Sequence, residues 1–117
     1  MDLPSTFAEG QRLERLGRAI SARAMFTRAV QGGHTAALTA LGRSLITMPP
    51  FDIANGIGML KTAAGRGDAD AAQLCAVLAG QDTALPDRWN IAFEYLQLAA
   101  RQGSERAQRE LALLADA

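Results

Sequence analysis

Apolar residues recur along this chain at helical spacing, in a stripe that appears three times. Each stripe reads small-x-x-large-large-x-x-Ala-small, which places its members at positions i, i+3, i+4, i+7 and i+8. The stripes are Ala22/Met25/Phe26/Ala29/Val30, Gly56/Met59/Leu60/Ala63/Ala64 and Ala92/Tyr95/Leu96/Ala99/Ala100. Such spacing covers one face of an α-helix, so the pattern predicts three amphipathic helices with a buried stripe.

A glycine-centred joint follows each stripe, and all three joints read Ala-small-x-x-Gly-x-x-x-Ala. The glycines are Gly33, Gly67 and Gly103, separated by 34 and 36 residues. Glycine enters the left-handed conformation that ends many helices without a clash of a Cβ atom. A period of this length is typical of solenoids built from helical hairpins.

Start and stop signals divide the chain into seven predicted helices. Asp68 and Ser104 are good N-caps after their glycines, whereas His34 is a poorer cap at the matching position. Thr6 and Glu9 match a capping box at the start of the first helix. The predicted helices cover residues 6–16, 19–31, 35–47, 53–65, 69–80, 88–101 and 105–116. We interpret residues 1–117 as a single domain with repeats at about 19–47, 53–80 and 88–116, preceded by helix 6–16.

The last predicted helix is expected to close one open end of a solenoid with a polar outer face. Ala107, Leu111 and Leu114 are predicted to face inward, whereas Leu113 would be exposed. An exposed leucine at this position indicates either a dimer contact or a junction to a further domain.

The joints resemble those of Sel-one-like repeats, a branch of the tetratricopeptide-like solenoids, over about residues 19–117. Leu41-Gly42 matches the Leu-Gly pair of that family, and Tyr95 matches its aromatic position. The other copies depart from the pattern, with Cys75-Ala76 and Leu111-Ala112 in place of Leu-Gly. The resemblance implies an all-α fold, a right-handed α-solenoid of about three helix-turn-helix repeats plus a terminal capping helix.

The resemblance also implies a function, that of a non-catalytic adaptor holding a peptide or helix of another protein in a concave groove. Groove residues of the family usually come from the first helix of each pair. Carried over position by position, they are Thr39, Arg43, Gln73, Val77, Arg109 and Leu113. Helical spacing places the members of each four-apart pair on one face, although a plain solvent face is the alternative.

Trp89 is a further candidate, either as an anchor for a partner or as a staple that packs the loop 81–87 onto the core. An alternative to the adaptor is a regulatory or dimerisation domain of a larger, possibly enzymatic, protein. The adaptor predicts another protein or peptide as the partner, and the alternative predicts a homodimer.

Charge narrows the choice of partner. The chain has a net charge of zero, which argues against nucleic acid because phosphate recognition requires a basic excess. Residues 1–66 hold eight basic against four acidic residues, and residues 67–117 hold four against eight. This split either steers an acidic partner, favours head-to-tail contacts, or reflects two solvated faces. Neither a signal peptide nor a membrane span is visible, so we expect a cytoplasmic protein without membrane partners.

Side chains for catalysis or metal binding are few. His34 is the only histidine and Cys75 the only cysteine, whereas a metal site needs several converging ligands. Cys75 falls on an apolar stripe where the sister repeats have leucine, so we expect it to be buried. The sequence therefore predicts no enzyme, no metal and no cofactor.

Overall fold

A computed structural model describes residues 2–115, and all regular secondary structure in that range is α-helical. Its helices are α1 Leu3–Arg15, α2 Ala19–Gln31, α3 Thr35–Thr47, α4 Ile53–Gly65, α5 Ala69–Gln81, α6 Arg88–Arg101 and α7 Glu105–Ala115. The predicted bounds of α2, α3, α4 and α6 are confirmed, α5 is one residue longer, and the predicted end of α7 at Asp116 lies outside the described residues. The chain forms two compact units, unit 1 up to Leu60 and unit 2 from Lys61 on.

The predicted start of the first helix at Thr6 is wrong. α1 begins at Leu3, because the Oδ1 atom of Asp2 accepts a hydrogen bond from the Ser5 amide at 2.8 Å and caps the helix. Pro4 fits the first turn, where its missing amide hydrogen would have no partner. Thr6 is buried inside the helix, and its hydroxyl donates to the Asp2 carbonyl at 2.9 Å. The expected capping box is therefore replaced by an earlier cap.

The joints between helices share one hydrogen-bond pattern. At Gly67, whose φ is +99°, the glycine amide donates to the Ala64 carbonyl and the Asp68 amide donates to the Ala63 carbonyl, both at 3.1 Å. These bonds satisfy carbonyls that the end of a helix leaves free. The same pair of bonds occurs at Gly17, Gly33 and Gly103. The joint at Gly17, between α1 and α2, extends the series that the sequence showed in three copies.

The three caps predicted after the joint glycines each make their bond. Asp68 Oδ1, Ser104 Oγ and His34 Nδ1 each accept a hydrogen bond from the amide three residues later, at 3.2, 3.1 and 3.2 Å. His34 is therefore a working cap of α3. Its ring also lies against Phe7 of α1, with ring centroids 4.7 Å apart. This contact gives the joint of unit 1 an aromatic support.

The repeated alanines of the joints are fully buried. The six alanines at the two ends of the motif are all 0% exposed: Ala29, Ala63, Ala99, Ala37, Ala71 and Ala107. Alanine suits such positions because it fills little volume and loses no side-chain entropy in a helix. The alanines that recur in the sequence therefore mark positions of close packing between helices.

The core of unit 1 lies among α1, α2 and α3, around the fully buried Phe26. Met25 and Met59 pack against it, as expected from their place on the stripes. The backbones of α3 and α4 approach each other closely at Gly42 and Gly56. A Cβ on Gly42 would lie 2.9 Å from the Gly56 carbonyl oxygen, and a Cβ on Gly56 would lie 2.8 Å from the Gly42 oxygen. Only glycine permits this contact between backbones.

A guanidinium group holds the end of α3 and the segment after it. Arg23, on α2, donates from Nε to the Ser44 hydroxyl at 2.9 Å and from Nη2 to the Ser44 carbonyl at 2.8 Å. It also donates to the Met48 carbonyl, and its Nη1 donates to the Pro50 carbonyl at 2.7 Å. Arg23 therefore supplies donors to the Met48 and Pro50 carbonyls and a second donor to the Ser44 carbonyl, which also accepts from the Met48 amide at 3.0 Å.

Unit 2 is built on α5 and α6, which pack along each other, with α7 against α6. Cys75 is 4% exposed within this unit, so its predicted core position is confirmed. Burial raises the pKa of its thiol to about 11. The thiol is therefore protonated at neutral pH and is a small apolar core group.

The outer side of α7 is more apolar than predicted. Ala107 is buried and Leu111 is half-buried, in line with the expectation that they face inward. Leu114 was expected to face inward as well, but it is 57% exposed because it borders an open cleft of unit 2. Leu113 is 72% exposed, as predicted.

Candidate protein-binding cleft

A cleft of about 380 Å³ opens among α5, α6 and α7 of unit 2. Three stretches of helix line it, and most of the lining side chains are apolar. They are Gln73, Ala76, Val77, Trp89, Ala92, Phe93, Leu96, Glu110 and Leu114. Binding sites in proteins have this character, with an apolar lining and a few placed polar groups.

Large apolar side chains of unit 2 concentrate at this cleft. Val77 is 40% exposed, Trp89 66%, Phe93 42% and Leu114 57%, and all four line it. Single exposed apolar residues are common on protein surfaces, but a contiguous patch marks a place where another molecule binds. The cleft is therefore the candidate functional site of the described chain.

One end of the cleft is polar and held by a chain of hydrogen bonds. The Ser104 hydroxyl donates to Gln73 Oε1 at 3.3 Å, and Gln73 Nε2 donates to the Glu110 carboxylate at 3.4 Å. Arg106 Nε donates to Glu110 Oε1 at 2.9 Å. This chain joins α7 to α5, so the apolar walls of the cleft have a fixed polar end.

The indole ring of Trp89 lies at the rim. A Cβ placed on Gly80 would be 3.4 Å from its Cζ3 atom, so one ring edge rests on α5. The guanidinium carbon of Arg88 lies 4.8 Å from the ring centroid, within the range of a cation–π contact. Among residues 2–115, no acceptor receives a hydrogen bond from the Trp89 indole N–H. The ring is thus positioned on one side and open to solvent on the other.

Three of the site residues predicted from the sequence meet at the cleft, namely Gln73, Val77 and Trp89. Arg109 and Leu113 are exposed on α7 but do not line it.

The two predicted site residues of unit 1, Arg43 and Thr39, differ in how far their side chains are exposed. Arg43 is exposed, and its Nη2 lies 3.8 Å from Glu14 Oε1. Thr39 is 5% exposed, so its side chain offers no binding surface, contrary to the expectation that it shares an exposed face with Arg43. The helix α3 is buried over most of its circumference, which the four-residue spacing alone did not reveal.

Sequence reasoning missed Phe93 and Leu114. The signal for Phe93 was present, since Trp89 and Phe93 are four residues apart and therefore share a face of α6 outside the apolar stripe. Leu114 was assigned to the core because it continues the Ala107/Leu111 stripe. Its exposure follows from the tertiary arrangement of three helices, which periodicity does not contain.

No group of three or more His, Cys, Asp or Glu side chains in residues 2–115 is placed to hold a metal ion. Within the same range, every helix is too short or too polar to cross a membrane.

The fold has a counterpart among solved structures. The crystal structure of a Sel1 repeat protein from Oxalobacter formigenes matches 96% of this chain with a TM-score of 0.82 and 20% sequence identity. The match covers 48% of that protein, so this chain spans about half its length. No protein-family model matches the sequence, and no curated protein does. The resemblance to Sel-one-like repeats is confirmed for the fold, an all-α solenoid of helical repeats.

Proposed function

We propose that this chain, which has the fold of a Sel1 repeat protein, is a non-catalytic protein-interaction module that binds its partner in the cleft of unit 2. The observation that carries the proposal is the convergence of Val77, Trp89, Phe93 and Leu114 on one cleft while they remain 40–66% exposed. A partner that covers these side chains gains about 25 cal/mol for each Å² of apolar surface removed from water.

The structure of the cleft favours the binding of a specific partner over nonspecific apolar association. Tryptophan is enriched among the residues that dominate binding energy, and Trp89 is already positioned by Gly80 and Arg88. The hydrogen bonds of Gln73 and Glu110 fix the polar end before a partner arrives. Fixed walls reduce the entropy that is lost on binding.

Arg43 of α3, and Arg109 and Leu113 of α7, are proposed as additional contacts, because all three are exposed. A homodimer is the second candidate, and the observation that favours it is the 72% exposure of Leu113. The proposed partner is another protein rather than nucleic acid, since the net charge of the chain is zero, and the cytoplasm is the proposed location.

The test compares two single substitutions of exposed apolar residues. Phe93→Glu puts a charge into the cleft, whereas Ile20→Glu, on α2 of unit 1, changes a side chain that is 72% exposed and does not line it. Wild type and both variants serve as bait in lysate of the source organism, after thermal melts have shown that all three are folded. Bound proteins are quantified by mass spectrometry.

The proposal expects a partner that is retained by wild type and by Ile20→Glu and lost by Phe93→Glu. A partner held equally by all three contradicts the cleft as the binding site. If wild type captures only itself, and light scattering shows a dimer, the homodimer replaces the adaptor as the function.

A further inference from the structure

We propose that a second surface of this protein, on unit 1, binds an acidic segment of a partner protein that also carries an apolar side chain. The surface surrounds an open cavity of about 350 Å³. The cavity lies between residues 17–21, where α1 turns into α2, and Pro49 of the segment after α3. It shares no residue with the cleft of unit 2. The inference therefore goes beyond the proposed function, and each can fail without the other.

The exposed large apolar side chains of unit 1 lie on the two stretches of chain that border this cavity. Leu16 and Ile20 are at the turn from α1 into α2, and Ile20 lines the cavity. Phe51 and Ile53 follow Pro49 within four residues. Every other leucine, isoleucine, valine, phenylalanine and methionine of unit 1 that the structure describes is buried or half-buried. Exposed apolar residues gathered around a cavity mark a place where another molecule binds.

Two arginines at this surface have no acidic partner. Arg18 lines the cavity, Arg15 lies directly before Leu16, and both are exposed. Neither guanidinium forms an ion pair with a carboxylate of residues 2–115. Arginine binds carboxylates through two parallel hydrogen bonds, so a carboxylate is the group that these side chains recognise best.

The carboxylates of unit 1 do not neutralise these arginines, because each of them interacts with another group. The interactions are Asp2 with the Ser5 amide, Glu9 with Arg12, Glu14 with Arg43, and Asp52 with the side-chain amide of Asn55. Unit 1 holds six arginines against these four carboxylates. The positive charge beside the cavity is therefore available to a partner.

The walls of the cavity are fixed before a partner arrives. At the turn from α1 into α2, the Arg18 amide donates a hydrogen bond to the Leu13 carbonyl at 2.9 Å. On the side of Pro49, Arg23 Nη1 donates to the Pro50 carbonyl at 2.7 Å. Fixed walls reduce the entropy that is lost on binding.

Size and charge together favour a segment of an acidic protein as the occupant. A cavity of about 350 Å³ is at the small end of ligand sites, so it accepts one or two side chains rather than a folded surface. An apolar side chain of the segment covers Ile20, and neighbouring carboxylates reach Arg15 and Arg18. Anionic membranes attract clusters of about 4–8 basic residues, whereas two arginines lie here.

The experiment is a selection from a displayed library of random dodecapeptides. Wild type, Arg18→Glu and Arg28→Glu are the baits, after circular dichroism has shown that all three are folded. Arg28 is the matched control, because it lies on the same helix, is exposed and does not line the cavity. We expect wild type and Arg28→Glu to enrich peptides that combine Asp or Glu with a large apolar residue, and Arg18→Glu to lose these peptides.

A peptide from this selection is then titrated by calorimetry. Its affinity for Arg18→Glu should fall by about a factor of ten or more, as expected when a charge-assisted hydrogen bond is lost. With its acidic residues replaced by lysine, the peptide should bind Arg18→Glu more tightly than wild type. Ile20→Glu should weaken the original peptide as well, because it puts a negative charge where the apolar side chain packs, and it leaves the cleft of unit 2 intact.

The opposite results would overturn this inference. Equal loss of the peptides by Arg18→Glu and Arg28→Glu would show that net charge alone attracts them, and identical pools from all three baits would show that this surface binds no peptide. Binding to vesicles of phosphatidylcholine and phosphatidylserine that Arg18→Glu abolishes, without peptide enrichment, would make a membrane the occupant. Dimerisation that Arg18→Glu abolishes would make it a second copy. None of these results bears on the cleft of unit 2, which Phe93→Glu tests separately.

Discussion

Arg23 and Ser44 are joined by two hydrogen bonds, one from Nε to the serine hydroxyl at 2.9 Å and one from Nη2 to the serine carbonyl at 2.8 Å. Ser44 is 1% exposed, so its hydroxyl has no access to water as an alternative partner. The same guanidinium reaches the carbonyls of Met48 and Pro50. One side chain of α2 therefore fixes the end of α3 and the path of the chain beyond it.

Arg23→Ala should destabilise the protein by about 2–3 kcal/mol, because the buried Ser44 hydroxyl and the Met48 carbonyl both lose the donor that Arg23 supplies. Urea denaturation followed by circular dichroism gives the change in the free energy of unfolding. Arg28→Ala is the matched control, since Arg28 lies on the same helix, is exposed and donates no such bonds; its effect should stay within about 0.5 kcal/mol. Equal effects of the two substitutions would contradict the assigned role of Arg23.

Gly56→Ala and Gly58→Ala should change stability in opposite directions, although both lie in α4. A Cβ on Gly56 would meet the Gly42 carbonyl oxygen at 2.8 Å, and the backbones must separate at a cost of about 1–3 kcal/mol. A Cβ on Gly58 would have no atom within 4 Å, so alanine there should stabilise the helix by about 0.5–1 kcal/mol. Thermal melts of both variants decide the matter, and a stabilising Gly56→Ala would show that the close approach is absent.

Helix bounds were largely predictable from the sequence because their signals are local. Gly67 followed by Asp68 specifies an end and a start without reference to the rest of the chain. The first helix was misjudged because two overlapping start signals compete there, and Asp2 with Pro4 prevails over Thr6.

The site was less predictable, because it depends on tertiary distances. The four-residue spacing places Phe93 on the same face of α6 as Trp89, but the pattern does not show that this face borders a cleft. The hydrogen bonds from Arg23 to Ser44 of α3 likewise could not be predicted from the sequence pattern. Gln73 and Val77 were found through the family resemblance, and Thr39 shows that such a transfer fails where a helix is more deeply buried.

Asp68→Ala should lower stability by about 1 kcal/mol, because Asp68 Oδ1 accepts hydrogen bonds from the amides of Asp70 and Ala71 at 2.9 and 3.2 Å. For a chain of this size the melting temperature should drop by about 3–5 °C. Asp70→Ala is the control, since this carboxylate is exposed in the first turn and contributes only through the helix dipole, a few tenths of a kcal/mol. A melting temperature unchanged by Asp68→Ala would rule out the cap as a source of stability.

The stability of the protein should fall as pH rises above 9. Burial raises the pKa of the Cys75 thiol from 9.0 to about 11. Between these two values the unfolded chain has lost the thiol proton and the folded chain still holds it, so the free energy of unfolding falls as the pH rises. Below pH 9 both states hold the proton, and stability is independent of this group. Burial also raises the pKa of Tyr95, which acts in the same direction.

Cys75→Ala removes the contribution of the thiol. Urea midpoints at pH 8, 9.5 and 10.5 should fall less steeply for this variant than for wild type, because the substitution removes the thiol and also the charge that helps to raise the pKa of Tyr95. Parallel pH profiles of the two proteins would show that the thiol is not shielded in the folded state. A thiol-reactive dye at pH 8 offers an independent check, since it should label Cys75 only after unfolding.

The joints and the loops of this chain differ in how they respond to a change of length. An added residue in a joint such as Gly67–Asp68 would turn the following helix by about 100° and carry its buried alanines out of register. The segment 82–87 is mostly exposed and joins two helices that already pack along each other, so lengthening it costs only a few tenths of a kcal/mol in closure entropy. It has six residues, one more than the corresponding segment 48–52, so the repeats already tolerate a change of length there. A protease site, a fluorescent reporter or new chain termini made by circular permutation therefore belong in this loop, where they leave the repeat register intact.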